Sequence, residues 1–306
     1  MSALSLALVM LLCGCGSSST EEEKTSDETQ TNEVEQEETQ EYPYDYASAD
    51  FFSIANCWNY APVATISGVL KDGNGYKLEA VDGFTTMQGG CTDGTYAYLL
   101  LEKKNTSFLP SGEGISQCML FKVDMTTWEI VGQSQPLAVD HGNGLTYNPN
   151  TNQLIVAHCK NLTSHVSFID PNTLAVTGSK DIGRNIYAIT YSHTRNLYVA
   201  GIKGSANYIV LDENFSQVGQ DYEGIENGLS YQSLYCDDDY IYITYTGDYQ
   251  AIMCYDWDGY FCGVLKVDSM VENEAMFQSG DDYYMTFYTG SGGTVYKLKF
   301  DKNLLY

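Results

Sequence analysis

The 306-residue chain is short of basic residues: 15 Lys and Arg stand against 40 Asp and Glu, a formal net charge of −25. A phosphate backbone needs a basic footprint, so this balance excludes a nucleic-acid binder. It argues equally against docking of the folded surface on anionic lipid. Convincing helical periodicity is absent. Nine cysteines are too few for a disulfide-scaffold domain of this length. There are four histidines, His141, His158, His165 and His193, and none has metal-ligand spacing. No His-Glu-x-x-His, Gly-x-Ser-x-Gly, phosphate-binding glycine loop or Cys-x-x-Cys occurs. Neither a metal nor a cofactor is therefore expected.

What is present begins with uneven acidity. Residues 21–50 carry twelve acids and one base, Lys24, while the other −14 of the net charge is spread over residues 51–306. The acidic stretch holds almost no apolar residue, so it cannot offset its chain entropy and reads as a disordered spacer. The expected division is a leader over 1–15, an acidic linker over 16–50 and a folded body over 51–306.

The leader has an apolar run over residues 3–12, too short for a good membrane span. It continues into Leu12-Cys13-Gly14-Cys15 and the polar Gly16-Ser17-Ser18-Ser19. This resembles the bacterial lipobox, although no Lys or Arg precedes the apolar run. The resemblance implies lipidation of Cys15 and an exported protein anchored to the outer face of the cell membrane.

The body repeats. Turn-and-strand segments recur at Thr92-Asp93-Gly94-Thr95-Tyr96, Asn150-Thr151-Asn152, His193-Thr194-Arg195-Asn196, Asp237-Asp238-Asp239 and Gly280-Asp281-Asp282. Leu154, Leu197, Ile241 and Tyr284 follow one another at 43, 44 and 43 residues. Tyr96 lies 58 residues before Leu154, which places an insertion near residues 103–116. A second ladder, Asp124, Asp170, Asp212, Asp256 and Asp301, has spacings of 46, 42, 44 and 45. Aspartate opening a turn accepts hydrogen bonds from amides ahead of it, so these five have a structural role. A period of about 40–45 residues with four short strands per unit is the signature of a β-propeller. The fold class expected is all-β, a propeller of five blades with six as the alternative. Units begin near Thr86, Asn143, Asn185, Ser230 and Asn273. The fifth runs out at Tyr306, and strands near 66–70 and 76–81 are expected to fill its outer place.

Gln88-Gly89, Tyr187-Ala188-Ile189-Thr190-Tyr191 and Gln232-Ser233-Leu234 give the repeats of residues 60–306 a family likeness. They resemble secreted bacterial five-bladed propellers of the teichoic-acid and phage-receptor-binding type, and more loosely NHL and quinoprotein-like repeats. The resemblance concerns the fold, which hosts hydrolases, lyases and pure binders alike.

Aligning the units places Gln88, Asn143 (with His141 two before it), Tyr187, Gln232 and Glu274 at the inner-strand starts, around the channel mouth. Convergent polar groups about a concavity make a ligand site. Glu274 is the one carboxylate in this ring, so the expectation is a non-catalytic binder of a glycan, peptide or partner protein. An alternative is an envelope glycoside hydrolase or lyase using Glu274 with Asp140, and a further one is an assembly scaffold. Asp237-Asp238-Asp239 reads as a solvated acidic turn. With Cys15 lipidated and Cys13 removed, seven cysteines remain in the body. Cys254 and Cys262 flank a short loop closed by Gly259 and form the candidate disulfide.

Overall fold

The computed structural model describes residues 63–67, 74–103 and 116–305. The leader with Cys15, the acidic linker and most of the insertion lie outside the described residues. The described body is all-β, with one 3-10 turn at Lys302–Leu304.

Two short strands, β1 (Val63–Ser67) and β2 (Tyr76–Leu78), precede five meandering units. The first unit is β3 (Thr86–Thr92), β4 (Tyr96–Lys103), β5 (Gln117–Asp124) and β6 (Glu129–Gln133). The second is β7 (Asn143–Asn148), β8 (Gln153–Ala157), β9 (His165–Ile169) and β10 (Val176–Asp181). The third is β11 (Ile186–Ser192), β12 (Leu197–Ile202), β13 (Tyr208–Leu211) and β14 (Gln217–Tyr222). The fourth is β15 (Ser230–Cys236), β16 (Tyr240–Thr246), β17 (Ala251–Asp256) and β18 (Phe261–Val267). The last has three strands, β19 (Asn273–Ser279), β20 (Asp282–Tyr288) and β21 (Gly293–Lys299).

The first three units are separate four-stranded antiparallel sheets in chain order. The other two are joined by β1, which pairs antiparallel with β21 and parallel with β18. β2 pairs farther along β21, Tyr76 opposite Val295. N-terminal strands thus fill the outer place of the fifth unit, with the first at 63–67 rather than 66–70. The end strands of this nine-stranded sheet, β15 and β19, pack against each other, so it nearly closes like a barrel.

The five first strands, β3, β7, β11, β15 and β19, pack side by side in that order, and β19 returns to β3. β3 and β11 are buried along their whole length, whereas β10 and β14 are largely exposed. Gly144 allows one of these close approaches. Its φ is +66°, and a Cβ there would lie 2.5 Å from the Ile189 nitrogen. The apolar core divides into clusters between consecutive units. Leu100 and Leu120 meet Leu154 and Val156, while Ile155 and Val166 meet Ile189 and Ile209. Val199 and Tyr208 meet Leu234 and Ile241, and Ile252 and Leu265 meet Met276 and Met285. Phe277 and Tyr284 then return to Leu99 and Phe121.

The aspartate ladder closes turns as its chemistry demands. Asp124 Oδ1 accepts from the Thr126 and Thr127 amides, and Asp170 Oδ1 from Asn172. Asp212, Asp256 and Asp301 do the same for Asn214, Asp258 and Asn303. The acidic turn at 237–239 differs from its expectation. The Asp237 side chain is only 8% exposed and contacts Lys302 Nζ at 2.8 Å. It also accepts from the Tyr242 and Tyr283 hydroxyls. The expected disulfide is not formed: Cys254 and Cys262 are free thiols. A register shift between Cys254 and Tyr255 pairs Cys254 with Gly263, so the two cysteines are not cross-strand partners.

Candidate functional site

Each first strand breaks register near its start. The shifts fall between Met87 and Gly90, Asn143 and Leu145, Ile186 and Ala188, Tyr231 and Ser233, and Asn273 and Ala275. The residues left out of the ladder are Gln88 with Gly89, Gly144, Tyr187, Gln232 and Glu274. A bulge frees a residue from its pairing and re-aims its side chain, a device common beside active sites. Four expected ring residues are therefore bulge residues, and Asn143 immediately precedes the fifth bulge.

The ring is tied together across its opening. Asn143 Nδ2 donates to the Gln232 carbonyl at 2.5 Å, reaching from the second unit to the fourth. Gln232 Nε2 donates to Glu272 Oε1 at 2.7 Å. Asn273 Nδ2 donates to the Tyr245 carbonyl at 2.8 Å and to Gln250 Oε1 at 2.7 Å. These bonds fix both asparagine amides with their oxygens turned elsewhere. Asn143 Oδ1, Asn273 Oδ1 and Gln88 Oε1 have no protein hydrogen-bond partner although they are buried. Such groups are costly unless something else satisfies them. They stand on three neighbouring strands, β7, β19 and β3. The other side of the mouth is aromatic: Tyr187 stacks on Tyr231 with centroids 4.8 Å apart, and Tyr245 meets Tyr231 edge-on at 6.0 Å. The buried Tyr187 hydroxyl also lacks a protein partner, and burial raises its pKa well above the ordinary phenol range.

The structure adds a group that the sequence reading missed. Glu102, at the end of β4, lies opposite Thr86 at the start of β3. Its side chain is 1% exposed, and Glu102 Oε2 is 3.0 Å from His141 Nδ1, while Lys160 Nζ is 3.9 Å from Oε1. Burial alone would raise its pKa, but His141, Lys160 and Ser116 outweigh burial and hold it below the usual glutamate value. The carboxylate is thus ionised at neutral pH. The imidazole, with Nδ1 turned to Glu102, keeps Nε2 for another partner. Only strand starts carried a repeat signal, and antiparallel pairing is what brings the end of a second strand beside them. A carboxylate closing the apolar run Leu99-Leu100-Leu101 was the available clue.

Asp140, expected as the partner of Glu274, has its carboxylate engaged by the 160–162 loop. It is fully buried and accepts from the Lys160, Asn161 and Leu162 amides and from Asn161 Nδ2. Its lone pairs hold the 160–162 loop, which carries Lys160 toward Glu102. Glu274 is buried at its bulge. His158 bonds Ser167 Oγ at 2.8 Å, and burial lowers its pKa, so it stays neutral. Among the described residues no group of three or more His, Cys, Asp or Glu is placed to hold a metal.

No protein-family model and no curated protein matches the chain. Among solved structures, it is similar to the crystal structure of Myxococcus xanthus glutaminyl cyclase. The TM-score is 0.56 at 12% identity, over 80% of this chain and 99% of that one. A looser likeness is to Kuenenia stuttgartiensis hydrazine synthase, with TM-score 0.40, 13% identity, and 69% and 57% coverage. At these identities the likeness is one of fold.

The expectation of a non-catalytic binder is corrected here. It rested on a ring with a single carboxylate, and the mouth holds a second, Glu102, with a histidine against it. The similar fold of the first comparison is that of an enzyme.

Proposed function

We propose that the chain is an envelope enzyme, a five-bladed β-propeller that performs acid–base chemistry at the mouth of its inner strands. The observation that carries this reading is the buried Glu102 carboxylate 3.0 Å from His141 Nδ1 beside the bulge ring. The carboxylate lies against one imidazole nitrogen, in a contact without hydrogen-bond alignment, and supports the charge the ring carries when it takes a proton. His141 Nε2 then takes a proton from the attacking group and returns it to the leaving group. Glu274 supplies the second carboxylate. The oxygens of Gln88, Asn143 and Asn273 accept hydrogen bonds from a donor-rich substrate, and Tyr231, stacked on the buried Tyr187, forms its platform. The five bulges and the cyclic packing of five first strands support the blade number. The lipobox-like leader and acidic spacer support outward display from a lipid anchor at Cys15.

Two donor-rich substrate classes fit these acceptors: glycans, and peptide ends of the kind a glutaminyl cyclase takes. The test is a turnover screen of purified chain on envelope glycans and on peptides with N-terminal glutamine, reading new reducing ends and released ammonia. Turnover of either class that His141→Asn abolishes is the expected result. Turnover undiminished in His141→Asn contradicts the proposal.

A further inference from the structure

Hydrogen-bond donors gather on the side of the mouth where the second and third units meet. Past β12 the ladder continues to Lys203, whose amide donates to the Asn185 carbonyl at 2.9 Å. Gly201 and Lys203, two residues apart, therefore share a face of the extended chain. A Cβ on Gly201 would lie 2.6 Å from the Tyr187 hydroxyl oxygen, so the hydroxyl occupies the space that glycine leaves open. The Lys203 side chain crosses to the second unit, where Nζ donates to the Cys159 carbonyl and stands 4.0 Å from Cys159 Sγ. Asn143 Nδ2 approaches the same sulfur, also at 4.0 Å. Cys159 and Tyr187 belong to one buried cluster.

The charges and unmet bonds decide which chemistry this spot suits. Lys203 takes part in no ion pair among the described residues. Glu102 faces His141 and Lys160, Asp140 holds the 160–162 amides, and Arg184 pairs with Asp221. On the neighbouring loop, Glu226 Oε1 accepts from the Ala206 amide at 2.8 Å, and Glu223 is exposed. The Tyr187 hydroxyl is buried without a protein partner, and burial keeps it neutral. A buried hydroxyl in that state is costly unless something outside the chain answers it. Burial also pushes the Cys159 thiol up, outweighing Lys203 and Asn143, so no thiolate competes for the ammonium. An ammonium and a hydroxyl, with one positive charge between them, match the two oxygens of a single carboxylate. A phosphate monoester, with nearly two negative charges, would leave one unanswered.

We propose that the substrate of the mouth is an acidic glycan, with the carboxylate of a uronic-acid sugar held between Lys203 and the Tyr187 hydroxyl. This rests on the reading of the mouth as a substrate site and narrows its two substrate classes to one. The oxygens of Gln88, Asn143 and Asn273 then take sugar hydroxyls. Methyl glucuronide and methyl glucoside are matched probes that differ in the carboxylate, for calorimetric titration of the full chain at low and high salt. Saturable binding of the glucuronide, at least about tenfold tighter than that of the glucoside, is expected, with the preference shrinking in high salt. Lys203 is exposed, so its variants test the contact without disturbing the core. Lys203→Met removes the preference, Lys203→Arg keeps it, and Tyr187→Phe reduces it. The titration reads binding alone, so its failure leaves the turnover test with His141→Asn standing, and the converse holds. Equal binding of both probes, binding of neither, or an undiminished preference in Lys203→Met overturns the proposal.

Discussion

Glu102 shows how one side chain changes the reading of the whole mouth. Its effect depends on being buried and ionised together, which His141 and Lys160 bring about. Asp237 makes the same point for stability. Burial opposes its charge, but Lys302, Tyr283 and the turn amides win and hold its pKa below the ordinary aspartate value. Burial likewise opposes the Lys302 charge, and Asp237 and Asp239 outweigh it. Asp237→Ala removes the acceptor of two tyrosine hydroxyls and leaves Lys302 with Asp239 alone. With Lys302 one-third exposed and screened, a loss of about 2 kcal/mol is expected in urea unfolding. A carboxyl with a depressed folded pKa contributes stability above its unfolded value and loses it as pH falls through the folded value. The gap between wild type and Asp237→Ala therefore narrows in acid, and a gap that stays constant through the carboxylate range contradicts this account.

At the scale of elements, much was legible in the sequence. The aspartate ladder and the turn-strand rhythm located the first strands because each turn needs an amide acceptor at its start. Gln88, Tyr187, Gln232 and Glu274 were found because polar residues interrupt apolar strands where bulges form. Other features were not local enough to read. Glu102 joins the mouth only through strand pairing, Asp140 turns away to hold a loop, and Cys254 misses Cys262 through a register shift. The role of β1 as a link between β18 and β21 was also hidden, because its pairing partners lie about 200 residues away. Removing residues through 69 exposes the β21 edge and unlinks the fourth and fifth units. Amide exchange of β21 is expected to accelerate by about two orders of magnitude, with β8 nearly unchanged. Uniform acceleration throughout the body, or none, contradicts that role for β1.

For the whole molecule, the net charge of −25 has two physical sources. Nearly half lies in the acidic stretch before the body, and much of the remainder serves turns such as those opened by Asp124 and Asp212. The tether proposal predicts that metabolic labelling with a radiolabelled fatty acid marks the chain and that Cys15→Ser removes the label. Labelling that persists in Cys15→Ser contradicts anchorage at that residue. The cyclic packing of five strands gives the mouth a fixed frame, and the bulges set the side chains of Gln88, Tyr187, Gln232 and Glu274 around it.

The central claim is that this mouth moves protons through His141 under the control of Glu102. It is tested most directly by comparing turnover of Glu102→Gln with wild type on the substrate found in the screen, with thermal unfolding measured alongside. A fall of at least about 100-fold in kcat with retained folding is the result predicted. Undiminished kcat in a folded Glu102→Gln variant would contradict the account.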